Sequence, residues 1–215
     1  MQQRIRFLKQ YIASPSVVGA VAPSSRSLAK ALCRPYLRAD HRSTILEVGA
    51  GTGAVTRYLG AVLRSADHLD ICESAPPFVE MLERELLSSP LFASAVAQGR
   101  VRLIPGPVQQ IDAEDRYDFV ISGLPLTAFE LADVKDVFSV VRHCLKPGGV
   151  FSYFEYVGLR KLTRTLTRGR RRARVAEVSR FLSSSIRAHE FERRTVLLNV
   201  PPAHARHWRF EVPPS

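Results

Sequence analysis

From Thr44 onward the chain alternates between two patterns of apolar residues. Short apolar runs, typical of buried strands, are separated by longer segments whose apolar residues recur every three or four positions, as on one helix face. The runs predict five strands, at 45–48, 69–73, 101–104, 117–121 and 150–154. Strands that alternate with helices predict an α/β fold, in which helices cover both faces of a parallel sheet.

Both ends of the chain depart from this alternation. Residues 4–12 carry apolar positions at helical spacing among basic ones, and they predict a short basic amphipathic helix. Such a helix docks on the core or lies in a membrane interface, and the pattern leaves both open. A second helix, capped by Ser24 or Ser25, is expected before the first strand. At the other end a helix to about residue 189 precedes two final strands, 194–200 and 207–212.

Glycines occupy every second position directly after the first predicted strand. The sequence from Ile45 to Gly53 reads Ile-Leu-Glu-Val-Gly-Ala-Gly-Thr-Gly, and apolar residues at helical spacing follow it. A strand, a Gly-rich turn and a helix in this order place backbone N–H groups and a helix N-terminus around a ligand. Glycine suits the turn because the backbone there visits positive φ and because a side chain would block the ligand.

Glu47 distinguishes between two kinds of ligand. It precedes Gly49 by two positions, where its carboxylate would point at the ligand from the strand end. A carboxylate there favours a ligand with an ammonium group over a pyrophosphate. The NAD fingerprint Gly-x-Gly-x-x-Gly also does not fit, because its third glycine would fall at Ala54. The alternative is a Gly-rich turn that binds nothing.

Length and composition limit the class of protein. The 215 residues accommodate one α/β domain, which we place at 44–215, after N-terminal helices at 1–43. No apolar stretch approaches the ~20 residues needed to span a bilayer, and no signal peptide is evident. Three scattered cysteines are too few for a disulfide framework or a metal cage. The sequence predicts a cytoplasmic protein with reduced cysteines and no metal site.

The net charge of +11 is distributed unevenly. Residues 1–44 carry eight Lys and Arg against one acid, residues 45–155 carry nine against fifteen, and residues 156–215 carry fourteen against four. Nine cations lie within the segment 160–180 alone, with no acid before Glu177. This distribution predicts an anionic partner, either a phospholipid surface or nucleic acid, for the basic flanks. The alternative for 160–180 is a solvated helix with an excess of arginine.

The spacing Glu-x-Gly-x-Gly-x-Gly resembles the first motif of class I S-adenosylmethionine-dependent methyltransferases. The resemblance implies a Rossmann-like sheet that ends in an antiparallel strand pair, and S-adenosylmethionine as the cofactor. It assigns Gly49, Ala50, Gly51 and Gly53 to the methionine end of the cofactor, and Glu47 to its ammonium group.

Two later strand ends complete the implied cofactor site. Glu73, at the end of the second predicted strand, is expected to accept the ribose hydroxyls, and the alternative is a helix-capping acid. Many relatives place an acid for the adenine amine after the third strand, where this chain has Gly106-Pro107-Val108. Because Pro107 offers no suitable side chain, adenine contact would come from the backbone, from packing of Val108 or from Gln109.

The acceptor site is expected after the fourth predicted strand. Ser122-Gly123-Leu124-Pro125-Leu126 occupies the place of the Asn/Asp-Pro-Pro-aromatic motif of amino-methylating enzymes. Ser122 would contact both cofactor and acceptor, and Gly123 would contact the cofactor. Base-methylating enzymes need a flat stacking residue next to the proline, and Leu126 is not flat. A plain loop at the strand exit is the alternative.

Three segments make the resemblance more specific. Residues 18–25, 122–125 and 199–203 together look like the soluble, membrane-associated bacterial phospholipid N-methyltransferases. Members of that family methylate phosphatidylethanolamine towards phosphatidylcholine. The family is also similar to rRNA adenine dimethylases, so an RNA adenine methyltransferase is the alternative, with nucleic acid the less expected partner.

This family resemblance implies roles for the N-terminal segment and a place in the cell. The helix at 4–12 would bind the membrane, and Pro23, Ser24 and Ser25 would close over the cofactor. The enzyme would work on the inner face of the membrane, peripherally bound to anionic phospholipid, with a lipid amine as substrate. The sequence does not indicate an oligomeric state.

The end of the fifth predicted strand, Tyr153-Phe154-Glu155-Tyr156, is more acidic than the resemblance leads us to expect. Glu155 could hold an ammonium headgroup or relay its proton, and Tyr153 or Tyr156 could stabilise the methylated cation through a ring face. The alternative is alternating strand residues whose tyrosines pack on the core. An unusual site here would suit a different aminolipid, such as one built on ornithine.

Overall fold

The computed structural model describes residues 24–158 and 169–210. Seven strands in these residues form one sheet. They are β1 (Thr44–Val48), β2 (His68–Glu73), β3 (Val101–Pro105), β4 (Tyr117–Ser122), β5 (Leu145–Tyr156), β6 (Glu190–Val196) and β7 (Ala203–Arg209). Their order across the sheet is β3-β2-β1-β4-β5-β7-β6.

Helices connect the strands and cover the sheet. They are α1 (Arg26–Leu32), α2 (Arg34–Arg38), α3 (Ala54–Val62), α4 (Pro76–Met81), α5 (Ala93–Ala97), α6 (Leu131–Cys144) and α7 (Gly169–His189). A π-helical turn, Leu82–Leu87, continues α4, and short 3-10 turns occupy Val108–Gln110 and Leu126–Ala128.

The strand order reverses at β1. β1 pairs in parallel with β2 on one side and with β4 on the other, while β3 extends from β2 and β5 from β4. Connections therefore leave β1 and β4 in opposite directions, which opens a crevice at the carboxyl ends of these two strands. The Gly-rich turn at 49–53 and the loop at 122–126 both lie at this edge of the sheet.

Two apolar layers hold the fold together. On one face, which we call the first core layer, residues of α1, α3 and the π-helical turn pack on the sheet, among them Leu28, Leu32, Leu59 and Leu82. On the other face, the second core layer, α6 and α7 contribute, among others, Val137, Val141, Val178 and Leu182. The predicted α/β fold with both faces covered is confirmed.

The terminal antiparallel pair is confirmed, although its predicted bounds were too late. β7 runs antiparallel to both β5 and β6, and each strand of the pair starts four residues before its predicted position. The start of β6 is charged rather than apolar. Glu192 accepts hydrogen bonds from Arg34 and Arg38 of α2, both at 2.8 Å. Ion pairs thus anchor this edge strand, so no hydrophobic pattern marked its beginning.

β5 begins earlier than its predicted position. α6 ends at Cys144, and Leu145 already pairs with Tyr117 of β4. The ladder is then interrupted until Val150 pairs with Phe119. Residues 146–149 therefore lie in a bulge within β5, because Pro and Gly there cannot maintain a regular ladder.

The N-terminal elements are described only from Ser24. Ser25 is the N-cap of α1, and its Oγ accepts the N–H of Leu28 at 3.1 Å. The predicted amphipathic helix at 4–12 lies outside the described residues.

Candidate active site

The Gly-rich turn after β1 folds back onto the end of β2. The N–H groups of Gly49 and Ala50 both point to the carbonyl oxygen of Cys72, at 2.8 and 3.4 Å. The N–H of Gly53 donates to the carbonyl of Ala50 at 2.9 Å, and α3 begins directly afterwards. Gly49, Gly51 and Gly53 have φ values of 71°, 55° and 75°, as the sequence predicted.

The glycines of the site differ in how much space surrounds them. A Cβ on Gly49 would overlap the side chain of Leu124, and a Cβ on Gly123 would overlap the carbonyl oxygen of Gly49. The turn after β1 and the loop after β4 can therefore touch only because both residues are glycine. A Cβ on Gly51 would meet no atom within 4 Å. Gly51 thus faces open space, where a ligand can approach the backbone.

This difference predicts distinct effects for two alanine substitutions. Gly51→Ala should lower stability by only about 1–2 kcal/mol, the strain of a left-handed residue, but should weaken ligand binding at least ~10-fold. Gly49→Ala should destabilise the fold more, because its Cβ also collides with Leu124. Thermal melts and calorimetric titration with the ligand compare the two variants. Equal ligand affinity of Gly51→Ala and wild type would place the ligand elsewhere.

Glu73 connects the ends of β1 and β2. One carboxylate oxygen accepts the N–H of Gly51 at 2.7 Å, and the other accepts the N–H groups of Ser74 and Ala75 at 2.8 Å. The side chain is buried. Because Ala75 immediately precedes α4, the carboxylate organises both the Gly-rich turn and the start of a helix. Glu73 is thus buried and bound to backbone ahead of the helix rather than solvated, and its ribose contact stays a prediction.

Glu47 is a buried carboxyl without a full set of partners. It is 1% exposed, and its Oε2 makes no hydrogen bond to the described residues. Burial raises the pKa of Glu47 to about 8, and the nearby charge of Glu73 adds to the rise. A carboxyl in this state fits a ligand that brings its own cation, because the charged form is otherwise disfavoured.

The loop after β4 is packed tightly against β1. The N–H of Gly123 donates to the carbonyl of Val48 at 2.8 Å, and Oγ of the fully buried Ser122 accepts the N–H of Leu124 at 3.2 Å. Ser122 thus shapes its own loop, at the same sheet edge as the Gly-rich turn. Its predicted contacts with cofactor and acceptor, and that of Gly123 with the cofactor, stay predictions.

The segment after β3 lies beside Glu73. The N–H of Gly106 donates to the carbonyl of Glu73 at 2.8 Å, and Sγ of Cys72 donates to the carbonyl of Gly106 at 3.3 Å. Val108 follows in a 3-10 turn and is buried in the second core layer. Its side chain packs beneath the segment after β3, and the adenine contact stays a prediction.

Asn199 is a residue of the site region to which sequence reasoning gave no role. It is buried in the connection between β6 and β7, where its Oδ1 accepts the N–H of Ser25 at 2.9 Å and its Nδ2 donates to the carbonyl of Pro201 at 2.7 Å. Asn199 therefore ties the start of α1 to the terminal strand pair. The only sequence signal was its place in the segment 199–203. Ser24 is half-buried beside this anchor, and Pro23 lies outside the described residues.

Comparisons with known proteins agree with this geometry. Residues 45–149 match the family model described as a methyltransferase domain. The ornithine lipid N-methyltransferase of Singulisphaera acidiphila is 29% identical over 154 residues, which cover 71% of this chain and 77% of that protein. The chain is an S-adenosylmethionine-dependent methyltransferase. Its cofactor is S-adenosylmethionine, as the motif predicted.

Solved structures show the same fold at low identity. The 1,6-didemethyltoxoflavin-N1-methyltransferase of Burkholderia thailandensis, solved with 1,6-didemethyltoxoflavin and S-adenosylhomocysteine, superposes with a TM-score of 0.55 at 18% identity, over 96% of this chain and 86% of that one. Spermidine synthase of Thermotoga maritima has a TM-score of 0.57 at 12% identity, over 86% and 59%. At these identities the likeness shows the class I methyltransferase fold alone.

The two tyrosines predicted at the acceptor side of the methyltransferase lie on opposite faces of β5. Tyr153 is fully buried in the second core layer, with ring centroids 4.9 Å from Trp208 and 5.4 Å from Phe151. Tyr156 packs in the first core layer, 5.2 Å from Phe154. Each ring is a core residue in this structure, which favours the packing alternative for both tyrosines, and a cation contact by either one stays a prediction.

Glu155 is engaged by an arginine. Its Oε2 accepts the Nε–H of Arg206 of β7 at 2.8 Å, and Arg206 also pairs with Glu190 at 2.5 Å. Glu155 and Arg206 are both buried. The guanidinium already neutralises this carboxylate, so the expected role of Glu155 in holding an ammonium headgroup conflicts with the observed pairing.

The basic segment 160–180 is described only from Gly169, and its side chains only from residue 173. In that part, Arg174 pairs with Glu130 at 3.0 Å and Arg180 is exposed. Arg174 therefore helps dock α7 near the start of α6. No helix of the described residues is long and apolar enough to cross a bilayer.

Proposed function

We propose that this methyltransferase methylates the amine of a lipid headgroup at a membrane surface. The observation that carries the proposal is the 29% identity to an ornithine lipid N-methyltransferase, over most of both chains. An aminolipid built on ornithine is therefore the first candidate acceptor. Phosphatidylethanolamine and its partly methylated forms are the second, supported by the segments at 18–25, 122–125 and 199–203.

The cofactor would lie along the carboxyl ends of β1 and β2. Glu47 supports this arrangement, because its buried carboxyl lacks the cation that the ammonium of the methionine moiety would bring. The open backbone at Gly51 would admit the methionine end, and Glu73 would receive the ribose hydroxyls. S-adenosylmethionine supplies an activated methyl group on a sulfonium centre.

The acceptor side gives no support to nucleobase methylation. Leu126, next to the proline of the loop after β4, is 1% exposed and packs in the second core layer. The nearest aromatic in this segment, Phe129, is buried in the same layer. Neither side chain offers a face on which a flipped base could stack. A lipid amine needs no stacking platform.

The protein would act mainly by desolvation and alignment. An amine attacks only in its neutral form, and removal from water lowers the pKa of an ammonium group. The C–N bond then forms in line as the C–S bond breaks, and the amine proton leaves to water. Precise positioning and exclusion of bulk water would supply most of the acceleration.

A parallel assay of acceptors tests the proposal. Full-length protein and radiolabelled S-adenosylmethionine would be offered ornithine-lipid vesicles, phosphatidylethanolamine vesicles with the same fraction of anionic lipid, and ribosomal RNA. We expect label in lipid, with ornithine lipid the faster substrate. Faster labelling of phosphatidylethanolamine would reassign the headgroup, and label only in RNA would overturn the proposal.

A further inference from the structure

The connection between β6 and β7, residues 197–202, exposes an unusual cluster of apolar side chains. Leu197, Leu198 and Val200 are 74%, 81% and 75% exposed. No other large apolar residue in the described part of the chain exceeds 45%. Single exposed leucines are ordinary, but three within four residues form a patch that marks an interaction site. We call residues 197–202 the apolar loop.

Hydrogen bonds hold the apolar loop with its polar side chain buried and its apolar side chains exposed, the reverse of the usual distribution. Asn199, the polar member among the three apolar residues, is buried and bonds to Ser25 and Pro201. The carbonyl of Pro202 accepts the N–H of Val157 at 2.8 Å. The amide is therefore turned inward while its apolar neighbours are turned outward. Leu197 and Leu198 therefore point away from the described fold, where another molecule can contact them.

The apolar loop lies at the carboxyl edge of the sheet, on the acceptor side. β6 runs parallel to β5, because both are antiparallel to β7, and Ala203 pairs with both Tyr156 and Val196. The loop thus leaves the sheet at the same edge as the Gly-rich turn and Ser122. Through Ser25 it also touches the segment that enters α1.

The chemistry around the loop fits a lipid surface with anionic headgroups. Val157, itself 43% exposed, touches the loop and is followed in sequence by Arg160, Lys161, Arg164 and Arg168. An apolar patch on a chain that also carries a basic stretch is a combination that binds an anionic bilayer interface. Three side chains are also too few for a stable protein–protein interface, which uses about 20–30 residues on each side.

We propose that the apolar loop inserts Leu197, Leu198 and Val200 into the lipid–water interface and thereby docks the acceptor side of the enzyme against lipid headgroups. The inference rests on the proposed function, which explains why the enzyme would need to contact a membrane. The membrane contact itself, however, is measurable without any acceptor. It is independent of the predicted membrane role of residues 4–12.

Vesicle partition of the full-length double variant Leu197→Ser/Leu198→Ser tests the inference. On vesicles of phosphatidylcholine with anionic phosphatidylglycerol, the variant should partition about tenfold less than wild type, since two apolar anchors are removed. Leu91→Ser is the matched control. Leu91 is also exposed, at 44%, but it lies in the connection from β2 to β3, and β3 and β6 are the two outermost strands on opposite sides of the sheet. It should partition like wild type, and all three proteins should melt alike.

Two results would overturn the inference. The first is a double variant that partitions onto vesicles as strongly as wild type, which would assign membrane binding to another segment. The other is an equal loss in Leu91→Ser, which would mean that any exposed leucine contributes. If the loop instead contacts a second copy of this chain, the double variant changes the mass in sedimentation and leaves partition unaltered, which also refutes insertion.

A site-specific probe reports insertion directly. The three native cysteines are buried, so Leu198→Cys can be labelled selectively with an environment-sensitive fluorophore. We expect a blue shift of its emission when vesicles are added, and no shift for Leu91→Cys. An unshifted Leu198 probe on vesicle-bound protein would contradict insertion. A shift without methylation of any lipid would leave membrane docking intact and reject only the proposed reaction.

Discussion

Replacing Glu47 with glutamine is expected to stabilise the ligand-free protein near pH 8 while weakening its affinity for S-adenosylmethionine. The reason is that the carboxyl is fully buried and its Oε2 has no partner among the described residues, so ionising it opposes folding. The same charge becomes favourable once a cofactor ammonium lies beside it. Glu47→Gln should therefore gain up to a few kcal/mol of ligand-free stability and lose ~10–100-fold in affinity.

The effect has a defined pH dependence. Burial raises the pKa of Glu47 from 4.5 to about 8, so between these values the folded state holds a proton that the unfolded state has lost. The stability contributed by protonated Glu47 is full below pH 4.5 and declines as the pH rises to about 8. The stability difference between wild type and Glu47→Gln should therefore widen over this range.

Urea unfolding at several pH values, together with calorimetric titration of S-adenosylmethionine, measures both quantities. Loss of stability in Glu47→Gln at neutral pH would contradict the account of an unpaired buried carboxyl.

Replacing Glu73 with alanine is expected to have the opposite effect on stability and a larger effect on binding. The carboxylate accepts the N–H groups of Gly51, Ser74 and Ala75. Its removal leaves these donors without their partner, which should destabilise the ligand-free protein by about 3 kcal/mol. Affinity for S-adenosylmethionine should fall by more than ~100-fold, since the turn and the expected ribose contact are lost together.

A surface acid provides the control for Glu73. Glu80 of α4 is exposed and pairs only with Arg84 one helical turn away among the described contacts. Glu80→Ala should therefore change stability by less than ~0.5 kcal/mol and leave cofactor affinity unaltered. Retention of wild-type affinity by a folded Glu73→Ala protein would mean that the cofactor does not lie along the end of β2.

The central strands and the Gly-rich turn could be predicted because local pattern specifies them. Each inner strand is a short apolar run, and Gly49 and Gly51 adopt the positive φ that the motif implied. The start of β6 could not be predicted in this way. Glu192 is anchored by Arg34 and Arg38, residues more than 150 positions away, and ion pairs leave no period in the sequence.

The acceptor side was harder to predict for two different reasons. Tyr153 and Tyr156 are separated by an odd number of positions, so strand alternation already places them on opposite faces of β5. That much could have been read from the sequence. The pairing of Glu155 with Arg206 could not, because it depends on the register between β5 and β7.

The most direct test of the central claim is the position of the transferred methyl group. Full-length protein would be incubated with trideuteromethyl-labelled S-adenosylmethionine and ornithine-lipid vesicles, and the product would be fragmented by tandem mass spectrometry. We expect deuterium in the amine-bearing headgroup fragment. Label confined to an acyl chain or a hydroxyl, or absent from lipid but present in added RNA, would contradict it.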